Sequence, residues 1–85
     1  MKLILEKAAV KSLRKMQPKT AAALLASLKS VAAAPFDSHP NCKRLQGGDN
    51  DYRLRHGDWR ALYHLDQTEQ TMIVTEIEPR GGVYK

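Results

Sequence analysis

Cysteine, aromatic residues and long apolar runs are all scarce in this sequence, and each scarcity excludes something. The one cysteine, Cys42, rules out an internal disulfide and fits a reducing cytoplasm. It has no His, Cys or carboxylate companion at metal-ligand spacing, so neither a metal nor another cofactor is expected. No apolar stretch approaches the roughly 18 residues of a membrane span, and the opening MKLILEKAAVKSL is too charged within its apolar part for a signal peptide. A cytoplasmic location without membrane attachment is therefore expected. Gly47-Gly48 has no helix pattern behind it and is not a phosphate-binding P-loop. Acidic residues are also in short supply: 9 Asp+Glu against 14 Lys+Arg leave a net charge of +5. Such a balance favours a polyanion such as nucleic acid, or an acidic protein that masks the basic surface. With 85 residues, the chain is read as one domain spanning 1–85 with a small core.

What is present centres on Asp51 to Leu65, DYRLRHGDWRALYHL. It alternates with a period of two, and Gly57-Asp58 suits a two-residue type II′ turn, which predicts a β-hairpin. That turn sets Arg55 opposite Arg60, Arg53 opposite Leu62, Leu54 opposite Ala61 and Tyr52 opposite Tyr63. Tyr52, Leu54, His56, Trp59, Ala61, Tyr63 and Leu65 then form a core face. Trp59 and Tyr63 are read as core aromatics, not as platforms for stacking bases. The opposite face carries Arg53, Arg55, Arg60, Leu62 and His64. Like charges directly opposite one another destabilise a sheet. The arrangement points to an anion, a phosphate group above all, although a solvated basic face would also account for it.

The flanking segments supply a frame for this hairpin. Lys2 to Leu5 reads as an edge or parallel strand. Glu6 to Met16 is amphipathic, with Ala9, Val10, Leu13 and Met16 on one stripe and Lys7, Lys11, Arg14 and Lys15 outside it. Pro18 suits the first turn of a second helix running to about Ala33, with Leu24, Leu25, Leu28, Val31 and Ala32 as its buried stripe. Its many alanines predict a close approach between the two helices. Ala34 to Asn41 is a proline-containing loop, in which His39 reads as surface, and Lys43 to Asn50 leads through a glycine turn to the hairpin. A polar turn at Asp66 to Gln70 precedes Thr71 to Glu78, a central strand that Pro79 ends. The predicted fold is α+β. It comprises an N-terminal strand, an antiparallel helical hairpin, and a three-stranded antiparallel meander with the helices packed on one face.

These residues resemble the RelE/ParE superfamily of bacterial toxins from type II toxin–antitoxin systems, and its RelE-like branch in particular. The resemblance covers nearly the whole chain. It rests on the order of elements, on Arg44-Leu45-Gln46-Gly47, Tyr52-Arg53-Leu54-Arg55 and Gly57-Asp58-Trp59-Arg60-Ala61-Leu62-Tyr63, and on Arg80-Gly81-Gly82-Val83-Tyr84. It implies a metal-independent endoribonuclease, an mRNA interferase, that cuts mRNA at the ribosome by attack of a ribose 2′-hydroxyl on the adjacent phosphate. Translation is thereby inhibited, and a cognate antitoxin neutralises the toxin. Arg60 and Arg80 match the family's phosphate-contacting arginines. Arg53 and Arg55 match positions where RelE carries lysines that aid charge stabilisation and proton transfer. Tyr84 matches a C-terminal tyrosine that orients the RNA.

One departure is chemical. Arginine does not readily release a proton, so Arg53 and Arg55 are poor general bases where a lysine would serve. His64, on the Arg60 face, is the best substitute, because imidazole titrates near neutral pH. Glu78 is a second candidate, either as base or as an ion-pair partner of Arg80. Two other readings remain: a ParE-like inhibitor of DNA gyrase on the same fold, and a weakly toxic relic that binds its antitoxin and modulates repression of their operon.

Overall fold

A computed structural model describes residues 1–79 of the chain. The elements are β1 (Lys2–Leu5), α1 (Lys7–Lys15), α2 (Pro18–Ala33), β2 (Cys42–Arg44), β3 (Asp51–His56), β4 (Trp59–Asp66) and β5 (Thr71–Pro79). They build one five-stranded sheet in the order β1-β5-β4-β3-β2. The pairings β2–β3, β3–β4 and β4–β5 are antiparallel, and β1 runs parallel to β5. The two helices supply the crossover that a parallel pair requires.

The expected hairpin forms in the expected register. Tyr52 faces Tyr63, Arg53 faces Leu62, Leu54 faces Ala61 and Arg55 faces Arg60. Gly57 has φ +57, while Asp58 keeps a negative φ, as a type II′ turn requires. A Cβ built on Gly57 would meet nothing within 4 Å. A Gly57→Ala substitution therefore tests the backbone alone. Thermal unfolding should register a loss of about 1–2 kcal/mol, the penalty of a left-handed L-residue.

Two features depart from the sequence reading of the sheet. Cys42–Arg44, read as part of the approach to the hairpin, is a strand on β3, with Lys43 opposite Arg53. The meander is thereby extended to four antiparallel strands. In addition, β5 carries a bulge: Leu62 pairs with Glu76 but Tyr63 pairs with Val74, leaving Thr75 as the extra residue. The Thr75 hydroxyl donates to the Leu62 carbonyl at 3.3 Å.

One face of the sheet and the inner faces of both helices enclose the core. Leu24, Leu28, Val31 and Ala32 of α2 meet Leu54, Ala61, Tyr63, Leu65, Met72, Val74 and Ile77 of the sheet, with Ala9 of α1 and Met16 beyond it. Leu25, expected in the buried stripe of α2, is only partly buried. The Ser12 hydroxyl donates to the Ile77 carbonyl at 2.6 Å, tying α1 to β5. Pro18 opens α2 as its sequence position predicts.

Close helix–helix packing through alanines is not what the structure uses. Ala22, Ala23, Ala26 and Ala33 are exposed. Their effect is on the helix itself, since alanine has the highest intrinsic helix propensity.

Candidate functional site

The sheet face turned away from the helices is a grid, because side chains directly across the ladders stand side by side. One row runs Arg55, Arg60, Glu78 across β3, β4 and β5. Asn41 lies next to Arg55, whose backbone N–H donates to the Asn41 carbonyl at 2.9 Å. The next row runs Lys43, Arg53, Leu62, Glu76. The third runs Asp51, His64, Ile73, Ile4, with Leu45 beside Asp51 through a backbone hydrogen bond of 2.8 Å. Positive charge is thus concentrated on β2, β3 and β4, and β5 lines its border with carboxylates.

Arg53, Arg55 and Arg60 occupy one face of adjacent strands, and His64 shares it. Arg80 and Tyr84 lie outside the described residues. Two like-charged pairs face each other directly, Lys43 with Arg53 and Arg55 with Arg60. Lys43, Arg53 and Arg55 line a depression of about 340 Å³ together with Pro40, Asn41 and Cys42. Sequence reading missed Lys43 because a three-residue strand between a proline loop and a glycine turn has no readable periodicity.

Arg60 is held from the β5 side. Its Nη2 lies 3.2 Å from Oε1 of Glu78. Glu78, expected to act as a base or to pair with Arg80, meets Arg60 here, and Arg80 lies outside the described residues. Arg60 Nε is buried and meets no acceptor among the described residues.

His64 is held as well. Its Nδ1 lies 2.7 Å from Oδ1 of Asp51, directly across the β3–β4 pair. Both side chains are about two-fifths exposed, at 41% and 43%. They border a second depression of about 330 Å³ with Leu45, Leu62 and Thr75. Asp51, like Lys43, was not singled out by sequence reading, although its place opposite His64 follows from the hairpin register.

The remaining candidates take structural places. Tyr63 is 2% exposed and Trp59 packs against the core. Tyr52 and Tyr63 stack with ring centroids 5.4 Å apart at 8°. Burial, aided by the neighbouring Cys42 and Tyr52, pushes the Tyr63 phenol well above its ordinary range, so it stays protonated. Cys42 is partly buried against the core. His56 lies on the inner side, 3.5 Å from the Ser27 hydroxyl. His39 Nε2 donates to the Ala34 carbonyl at 2.7 Å and pins the loop after α2. Among the described residues, no group of three or more His, Cys, Asp and Glu could hold a metal ion. Nor is any helix among them long and apolar enough to cross a membrane.

This architecture recurs among solved toxins. The isolated RelE toxin of E. coli superposes with a TM-score of 0.81 at 19% identity, covering 98% of this chain and 87% of that one. RelE from the archaeal RelE–RelB complex of Pyrococcus horikoshii OT3 gives 0.81 at 22%, with 94% of each chain covered. The fold is that of the RelE/ParE toxins. A Methanocaldococcus jannaschii protein described as a candidate toxin, RelE1, is 27% identical over 82 residues, covering 95% of this chain and 91% of its own length. Residues 3–84 match the profile of the ParE toxin of type II toxin–antitoxin systems, parDE, and the chain belongs to this family.

Proposed function

We propose that this toxin is a metal-independent endoribonuclease that cleaves mRNA at the ribosome, acts in the cytoplasm and is silenced by a cognate antitoxin. The observation that carries this reading is the two like-charged cross-strand pairs, Lys43 opposite Arg53 and Arg55 opposite Arg60, on the sheet face turned away from α1 and α2. A phosphodiester would relieve that repulsion. Cleavage needs the 2′-hydroxyl deprotonated, the phosphorane's charge stabilised and the leaving 5′-oxygen protonated. Arginine suits the second task through its permanent charge and planar fork of donors. In this reading Arg60 and Arg80 hold the scissile phosphate, Arg53 and Arg55 add charge along the backbone, and Tyr84 orients a base by stacking. The antitoxin reading is supported by the RelE–RelB complex of P. horikoshii, and a basic toxin suits an acidic partner.

A second reading is favoured by the family profile itself, whose description is that of a ParE toxin. A ParE-like inhibitor of DNA gyrase would have no need of the cationic cluster. Inducing the protein without antitoxin and mapping transcript 5′ ends separates the two. The nuclease reading expects growth arrest with in-frame cuts inside translated regions. Arrest with DNA damage and intact mRNA would replace it by the gyrase reading, and absence of arrest would leave only an antitoxin-binding role.

A further inference from the structure

We propose that His64 is the general base of this cleavage and that Asp51 is its positioning residue, an assignment that rests on the nuclease reading above. A carboxylate only accepts hydrogen bonds, so the 2.7 Å contact fixes the proton on His64 Nδ1, donated to Asp51 Oδ1. Nε2 is then left with its lone pair, and the carboxylate stabilises the imidazolium that forms when that lone pair takes a proton. Gly48 packs against the other edge of Asp51. A Cβ there would lie 3.0 Å from the Asp51 carboxyl carbon and closer still to Oδ2, so only glycine leaves the carboxylate where it is.

Placement supports the role. His64 is four residues from Arg60 on β4, about 13 Å along the strand at the usual rise. Arg53, opposite Leu62, stands midway between them. With the scissile phosphate at Arg60 and Arg53 adding charge beside it, an RNA strand lying along β4 would carry the attached ribose toward His64. No arginine of the face can take a proton from that ribose, and Tyr63 is locked in its protonated form inside the core.

His64 Nε2 takes the proton of the 2′-hydroxyl as the 2′-oxygen bonds to phosphorus. The P–O5′ bond breaks, giving a 2′,3′-cyclic phosphate, and the 5′-oxygen takes a proton from water. The imidazolium then returns its proton to solvent. The charged residues nearest His64 on this face in the strand register are Asp51 and Arg53 from β3, Glu76 from β5 and Asp66 on its own strand.

The test is single-turnover cleavage of ribosome-bound mRNA by the full-length protein across pH 5–9, with His64→Gln, Asp51→Asn and Arg60→Ala compared. General-base removal is worth about 10²–10⁴-fold. The wild-type rate should rise with pH along a single limb. His64→Gln should lose at least about 100-fold together with that rising limb. Asp51→Asn should lose about tenfold or more and alter the pH profile, because the ring loses the carboxylate that fixes its Nδ1 proton. Thermal melts of both variants control for folding. If His64→Gln keeps both rate and pH profile while Arg60→Ala does not, the base lies elsewhere, Lys43 being next, and the nuclease reading stands. Wild-type protein that cleaves no RNA overturns both.

Discussion

Replacing Arg60 with alanine should lower the rate of mRNA cleavage by about 10²–10³-fold, the usual loss when one preorganised donor to a developing charge is removed. The effect should fall on the rate at saturating ribosomes and far less on toxin binding, since the neighbouring basic residues still attract the polyanion. Lysine at this position should recover only part of the loss, because a point charge cannot reproduce a planar fork. Stability should barely change. The Arg60–Glu78 pair is partly exposed, with side chains at 28% and 37%, and such pairs contribute about 0–1 kcal/mol. Urea denaturation beside the cleavage assay separates the two effects. Unchanged cleavage in a folded Arg60→Ala protein would remove this arginine from the site.

Leu65→Ala should have the largest effect on folding. Leu65 is fully buried on β4 and pairs across the ladder with Met72, also fully buried. Truncation leaves a cavity between sheet and helices that Met72 can fill only in part, at a cost of about 2–5 kcal/mol. A chain of 85 residues holds roughly 4–13 kcal/mol of total stability. The melting temperature should therefore fall by about 10 °C or more, and protein produced without a binding partner should be partly unfolded. A drop of only a degree or two would mean that the core is less tightly packed than its burial indicates.

The hairpin was legible because two local rules agree there. Alternation assigned faces, and Gly57 at positive φ set the register, so every cross-strand pair from Tyr52–Tyr63 to Arg55–Arg60 followed. α2 was legible for the same reason, from Pro18 at its start and leucines at helical spacing. β2 was not, because its three residues gain a strand conformation only by pairing with β3. The choice for Lys2–Leu5 between edge and parallel strand also needed the structure, which makes it both: it is parallel to β5 and ends the sheet. In the site, the shared face of Arg53, Arg55, Arg60 and His64 could be read from sequence. The Arg60–Glu78 pairing could not, because it depends on the strand offset beyond Thr75. Arg80 and Tyr84, carried by resemblance, lie past the described residues.

The surplus residue in β5 has an electrical consequence. Counting by twos from Val74, which points inward, would turn Glu76 and Glu78 toward the core and Ile77 toward solvent. Thr75 shifts the count by one, so Ile77 is buried and both carboxylates emerge beside the arginine-bearing strands. A single intercalated residue thus sets the polarity of one flank of the sheet. It gives the cationic strands β2, β3 and β4 a sharp negative margin along β5.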